Sequence, residues 1–170
     1  MERPTLPFIV ADLPIDAPER RRLPPLLRRA WYGLNQAFRR RIAHLEITPD
    51  QFTAMRILLE SDSQPLTQCD LTKAMSSDPN TVASLLKRME QAGLIERNRH
   101  ETDRRAHRIR LKPIGKRKYA AAREIAVALQ SEVLATLPEQ RRESFLTDLA
   151  AVADACRKSA ISASSRRNET

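Results

Sequence analysis

Asn80, Thr81, Ser84, Lys87 and Arg88 recur at steps of three and four residues. On a helix, residues spaced this way lie one above another on a single face. Their side chains are those that read base edges. Arg and Lys donate to guanine or to phosphate, Asn pairs with adenine, and Thr can touch a thymine methyl. Just downstream, residues 97–118 hold ten Lys and Arg against only Glu101 and Asp103. That stretch carries +8 of the formal +9, so the other 148 residues sum to +1. A generically basic chain would spread its charge; concentration on one segment points to a polyanion, most often nucleic acid. Asp103, Arg104 and Arg105 fall at the expected tip of that basic segment. There Arg105 would meet the negative potential of a narrow minor groove, with Asp103 holding the guanidinium in a fixed pose.

Several elements must position these groups. Val82, Leu85, Leu86 and Met89 have the 0, 3, 4, 7 spacing of a buried stripe, which predicts a helix over 79–91 with the polar set outward. Asp78 is a good cap and Pro79 a good first residue. Gly93 stands where a left-handed helix end favours glycine. A short helix should precede it, opened by Thr67 with Asp70 three residues on and carrying Leu71, Ala74 and Met75. After it, Leu94–Arg99 and Arg105–Leu111 alternate like two strands, with Ile109 and Leu111 opposed to Arg108, Arg110 and Lys112. His100 to Arg104 makes the turn. A short helix, a tight turn, a second helix and a basic hairpin make a winged helix-turn-helix.

Further helices surround it. Leu27, Trp31, Leu34, Phe38, Ile42 and Leu45 mark a first helix over about 26–45. Thr48, Pro49 and Gln51 form the start of a second, with a capping box. A long helix is expected after Pro113 and Gly115, running to about Thr136 with Tyr119, Ala122, Ile125, Ala126, Leu129 and Val133 aligned. A last helix, over about Glu139–Lys158, aligns Phe145, Leu149, Val152 and Cys156. Six of the eleven prolines lie in residues 1–25, so that segment reads as an extended arm. Residues 159–170 read as a flexible tail. The expected fold class is mainly α with a small β-hairpin wing, in one domain over 26–158.

Composition narrows the function classes. Three glycines are too few for a β sandwich or a phosphate-cradling loop. No Gly-x-Ser-x-Gly and no nucleophile with a paired base is present, so an enzyme is not expected. Cofactors are not expected either. No apolar run approaches the ~20 residues of a membrane span, and the first residues lack an apolar signal core. Two cysteines, Cys69 and Cys156, do not make a disulfide scaffold, so a reducing cytoplasmic setting is the simplest reading. His100, Glu101, Asp103 and His107 crowd the wing, but standard zinc spacings are missing and no metal site is expected.

Thr81 to Arg97 resembles the recognition helix and wing entry of the MarR family of bacterial transcriptional regulators. Asp103 to Leu111, followed by Gly115, is similar to that family's D-x-R wing and strand. The resemblance extends over about residues 26–156. It implies a homodimer, assembled through dimerisation helices at about 26–46 and 116–158, that binds double-stranded DNA. Two winged domains would then meet half-sites of a pseudo-palindrome roughly 34 Å apart. It also implies that Asp103 and Arg105 are the wing pair, and that Asn80, Thr81, Ser84, Lys87 and Arg88 face the major groove. Many members carry arginine where Ser84 stands and threonine where Lys112 stands.

The resemblance further implies a repressor that releases DNA when a small aromatic or phenolic effector binds. Trp31, Tyr32, Phe38, His44 and Met55 are the candidate lining. For Trp31 and Phe38 the preferred reading is that they are dimer-core residues on the first helix's stripe. Redox sensing would need an exposed thiol with a basic neighbour. Cys69 falls in the helix before the recognition helix, and Cys156 falls on an apolar side where burial is expected. The rival functions are an architectural protein indifferent to DNA sequence, and a winged module that binds protein instead of DNA.

Overall fold

The computed structural model describes residues 22–61, 66–99 and 107–167. Residues 1–21 of the extended arm expected over 1–25 lie outside these, as do Asp103, Arg104, Arg105 and the crowded wing residues His100 and Glu101. Of His107 only the backbone is described. Six helices and one hairpin make up the described chain, in this order: α1 Leu23–Arg41, α2 Pro49–Glu60, α3 Gln68–Ala74, α4 Pro79–Gln91, β1 Ile95–Arg99, β2 His107–Leu111, α5 Pro113–Leu134 and α6 Glu139–Arg167. The mainly helical fold with a two-stranded wing is as the spacing predicts. Among the described residues no helix is long and apolar enough to cross a membrane. A first compact unit ends at Ile125 and a second begins at Ala126, within α5.

Caps define the helices of the first unit. Thr48 and Gln51 form a reciprocal capping box: Thr48 N–H donates to Gln51 Oε1 at 2.9 Å, and Gln51 N–H to Thr48 Oγ1 at 3.2 Å. Thr67 and Asp70 repeat the pattern at α3, with Thr67 N–H on Asp70 Oδ2 at 2.9 Å. Each box satisfies two amide donors that a helix start leaves open. Asp78 accepts from Thr81 N–H at 2.8 Å and starts α4.

Four boundaries differ from expectation, each for a local reason. α1 opens at Leu23, so Pro24 and Pro25 belong to its first turn and not to the arm. Their missing N–H groups cost nothing where no intrahelical acceptor exists. α1 ends at Arg41, and Ala43–Leu45 form a separate 3-10 turn closed by Glu46 in the left-handed region at φ 54°. α5 begins at Pro113, which places Gly115 inside its first turn. α6 continues to Arg167 through residues expected as tail. No proline or glycine interrupts residues 139–167, and Ala and Arg favour helix.

The core of the first unit is built from the predicted stripes. Ile42, Met55, Leu71, Val82, Leu86, Met89, Leu94 and Ile95 are all but inaccessible to solvent. Phe38 on α1 meets Phe52 on α2 edge to face at 5.0 Å, and Phe52 stacks on Tyr119 of α5 at 5.2 Å. Such aromatic pairs add about 0.5–1.5 kcal/mol beyond their buried area. The hairpin pairs antiparallel, with Ile95 opposite Leu111 and Arg97 opposite Ile109. Ile109 N–H also donates to Leu66 O at 3.0 Å, a one-residue third strand that ties the wing to the start of α3.

In the second unit, Ala135–Pro138 turn the chain between α5 and α6. Ala135, Thr136 and Leu137 donate backward to the last carbonyls of α5, and Arg142 Nε donates to Leu137 O at 3.2 Å. Leu129 is buried, whereas Val133, Phe145 and Leu149 remain exposed in the single chain. Cys156 is exposed as well, against the expected burial, because the apolar side of α6 has little to cover it.

Candidate nucleic-acid interface

α3 and α4 meet across the Met75–Asp78 turn. Ser77 N–H reaches back to Thr72 O at 3.2 Å and Ser76 N–H to Lys73 O at 3.1 Å. Ser76 takes φ 49°, the left-handed conformation a reversal this tight requires. Gln68 Nε2 on α3 donates to Pro79 O at 3.4 Å, a side-chain link to the start of α4. The cap carboxylates carry the electrostatic signature of these bonds. Hydrogen bonds from Thr67 hold Asp70 below the ordinary carboxylate range, and hydrogen bonds from Thr81 do the same for Asp78.

α4 shows the division of faces that its sequence predicts. Val82, Leu85, Leu86 and Met89 are buried. Asn80, Thr81, Lys87 and Arg88 are exposed, and Ser84 is open to solvent between them. Arg88 Nε donates to Ser84 O at 3.3 Å, which lays the arginine stem along the outer face toward Ser84. A helix with one face in the core and the other lined by donors suits insertion into a major groove.

The hairpin comes directly after α4. Gly93 takes φ 68° and reverses the chain, with Leu94 N–H on Met89 O at 2.9 Å. Opposed residues of an antiparallel pair share a face. Glu96, Asn98, Arg108 and Arg110 therefore lie on one side, and Ile95, Arg97, Ile109 and Leu111 on the other. Ile95 and Ile109 are buried and Arg110 is exposed, so the apolar and basic faces of β2 separate as expected. Arg97 departs from the pattern, as a cation on the inward side. Its Nε lies 3.3 Å from Glu90 Oε2 at the end of α4. At the foot of α5, Lys118 Nζ lies 3.4 Å from Glu46 Oε2. Among the described residues of the basic segment, Arg97 and Lys118 are thus paired within the chain.

The five candidate effector residues are dispersed by exposure. Met55 and Phe38 are buried in the core of the first unit, while Trp31, Tyr32 and His44 are exposed. Phe38 spends its ring on Phe52. Sequence spacing missed three features: the Phe38–Phe52–Tyr119 stack, the Glu90–Arg97 pair and the close packing at Gly115. For Arg97 a signal was available, because it falls on the same alternation as Ile95.

A family model described as the MarR family matches residues 47–107. The transcriptional regulator HosA of Escherichia coli O127:H6 is 29% identical over 126 residues, covering 71% of this chain and 92% of HosA. A Staphylococcus aureus MepR–DNA complex shares the fold with a TM-score of 0.72 at 24% identity, over 77% of this chain and 96% of MepR. The M. tuberculosis regulator MOSR in complex with DNA aligns with a TM-score of 0.63 at 25% identity, over 78% of this chain and 96% of MOSR.

Proposed function

The chain belongs to the MarR family and is a DNA-binding transcriptional regulator, and from that premise we propose that two copies bind one pseudo-palindromic operator. The observation that carries this is the two-faced α4, with Asn80, Thr81, Ser84, Lys87 and Arg88 on the outer face above a buried stripe. In the reading we favour, these five residues meet the major groove and the wing residues Asp103, Arg104 and Arg105 meet the flanking minor groove. Lys87 and Arg88 supply charge and guanine contacts; Asn80, Thr81 and Ser84 supply neutral readout.

The homodimer is supported by what the single chain leaves uncovered. Leu23, Leu26, Trp31, Tyr32 and Leu34 on α1 are exposed, as are Phe145 and Leu149 on α6. Large apolar groups left exposed on each helix support self-association through it. In this proposal residues 26–46 and 116–158 supply the dimer, and the protein represses by occluding a promoter. A small aromatic effector would bind at the margin of the dimer seam, against Trp31 and Tyr32, and quenching of the single tryptophan reports it directly.

Selection of bound sequences from a random duplex pool at physiological salt tests the reading. A twofold-symmetric motif, preferred over random DNA by at least ~10³-fold, is the expected result. Tight, salt-sensitive binding without enrichment would replace it with the architectural reading.

A further inference from the structure

We propose that Glu90 and Arg97 form a strut that sets the wing against the recognition helix, making both of them positioning residues for DNA binding. The inference rests on the DNA-binding reading of α4 and the hairpin, and it removes Arg97 from the cations that contact DNA.

Three observations carry it. First, Arg97 shares the inward face of the hairpin with Ile95 and Ile109, and its side chain is only 22% exposed. A cation so placed is costly unless it is paired. Second, Glu90 stands in the last turn of α4, where the helix dipole disfavours a carboxylate. It also adds negative charge beside a surface read as binding phosphates. Arg97 gives that position a physical reason. Third, the pair spans the join between the two DNA-reading elements. The main chain crosses there through Ala92–Leu94, closed by Gly93 N–H on Glu90 O at 2.9 Å and Leu94 N–H on Met89 O at 2.9 Å. A side-chain brace across a join this short limits rotation of the hairpin. Rotation at the base is magnified away from it along the hairpin.

The contact is an ion pair and not an aligned hydrogen bond, since the buried Nε–H does not point at the carboxylate oxygen. The effect sought is therefore on geometry more than on stability. A partly exposed pair contributes little to folding, yet it can still select one orientation of a hairpin.

Glu90→Gln, Arg97→Gln and the double variant of the full chain decide the matter. Binding to a fixed mixed-sequence duplex is measured through a salt series. Plain electrostatics predicts that Glu90→Gln tightens binding, because a negative charge near DNA is lost. The strut predicts the reverse: each single variant weakens binding about 3–10-fold, and the double variant is no weaker than either. The slope of log K against log salt stays unchanged in all three. A Glu90→Gln variant that binds as tightly as wild type or tighter overturns the proposal. So does a slope that falls by about 0.9 in Arg97→Gln, the signature of one lost phosphate contact.

Hydrogen exchange of the DNA-free protein is the second measurement. Amides of Ile95–Arg99 should exchange faster in both single variants while those of α2 keep their protection. Unchanged exchange in the hairpin overturns the strut. Failure of the wild type to bind any duplex would remove the DNA-binding reading instead, and exchange would still decide whether the brace exists.

Discussion

The backbone carbonyl of Leu94 lies against the α-carbon of Gly115. A Cβ built on Gly115 would collide with Leu94 O and sit 2.9 Å from Leu111 Cδ2. The same carbonyl accepts Lys112 N–H at 2.9 Å, so it cannot shift without loosening the base of the wing. The glycine answers to close approach and not to an unusual backbone angle. Gly115→Ala should destabilise the fold by about 1–3 kcal/mol, the usual cost of overpacking. Gly33 on α1 has nothing within 4 Å of a built Cβ, so Gly33→Ala should stabilise the chain by roughly 0.5–1 kcal/mol. Urea midpoints of the two variants check both signs. Equal effects would show that the Leu94 contact carries no strain.

The two cap carboxylates should contribute to acid sensitivity. Hydrogen bonds from Thr67 depress Asp70, and hydrogen bonds from Thr81 depress Asp78. A carboxylate whose folded pKa lies below its unfolded value stabilises fully above the unfolded value, about 3.9. That stabilisation is lost as pH falls through the folded value. The double variant Asp70→Asn with Asp78→Asn should therefore lose stability more gradually than wild type below about pH 4. Melting temperatures across an acid-to-neutral pH series give the comparison, and superimposable acid limbs would contradict it.

Trp31 is 65% exposed and Tyr32 60% exposed in the single chain. Truncating Trp31 should therefore cost the isolated fold little. Its effect should appear in self-association, where a buried tryptophan anchor is typically worth about 2 kcal/mol or more. Trp31→Ala is expected to raise the dimer dissociation constant at least ~30-fold. Sedimentation on dilution checks this, and an unchanged constant would place the dimer seam elsewhere.

In sequence Arg105 falls between the paired residues Arg99 and His107, in the segment expected to form the wing tip. Arg105→Ala should weaken operator binding without altering the dimer. A dimer meeting ~6–10 phosphates should lose ~10³–10⁵ in affinity between roughly 50 and 200 mM salt. Binding titrations at several salt concentrations measure both effects. Wild-type affinity in Arg105→Ala would exclude the tip from the interface.

α4 and the two helix starts before it are largely written in local signals. Asp78, Pro79 and the 0, 3, 4, 7 stripe delimit α4 to the residue, because caps and periodicity act within one or two turns. Thr48–Gln51 and Thr67–Asp70 are legible for the same reason. Local signals fail where two rules compete. Pro24 and Pro25 suit both an extended arm and a first helical turn, and the helix running on to Arg41 decides for the turn. Residues 159–167 resemble a tail in composition, yet nothing among them stops a helix.

Sequence alone determined the order of the elements, the polar face of α4 and the concentration of charge at the wing. These depend on neighbours three or four residues apart. Tertiary structure decided which charges remain available and which glycine is irreplaceable. Arg97 and Lys118 count toward the basic segment, but Glu90 and Glu46 neutralise them across seven and seventy-two residues of chain. Gly115 meets Leu94 only because the hairpin returns α5 to the end of α4. Contacts of that kind arise from chain reversal in three dimensions, and no periodicity in one dimension encodes them.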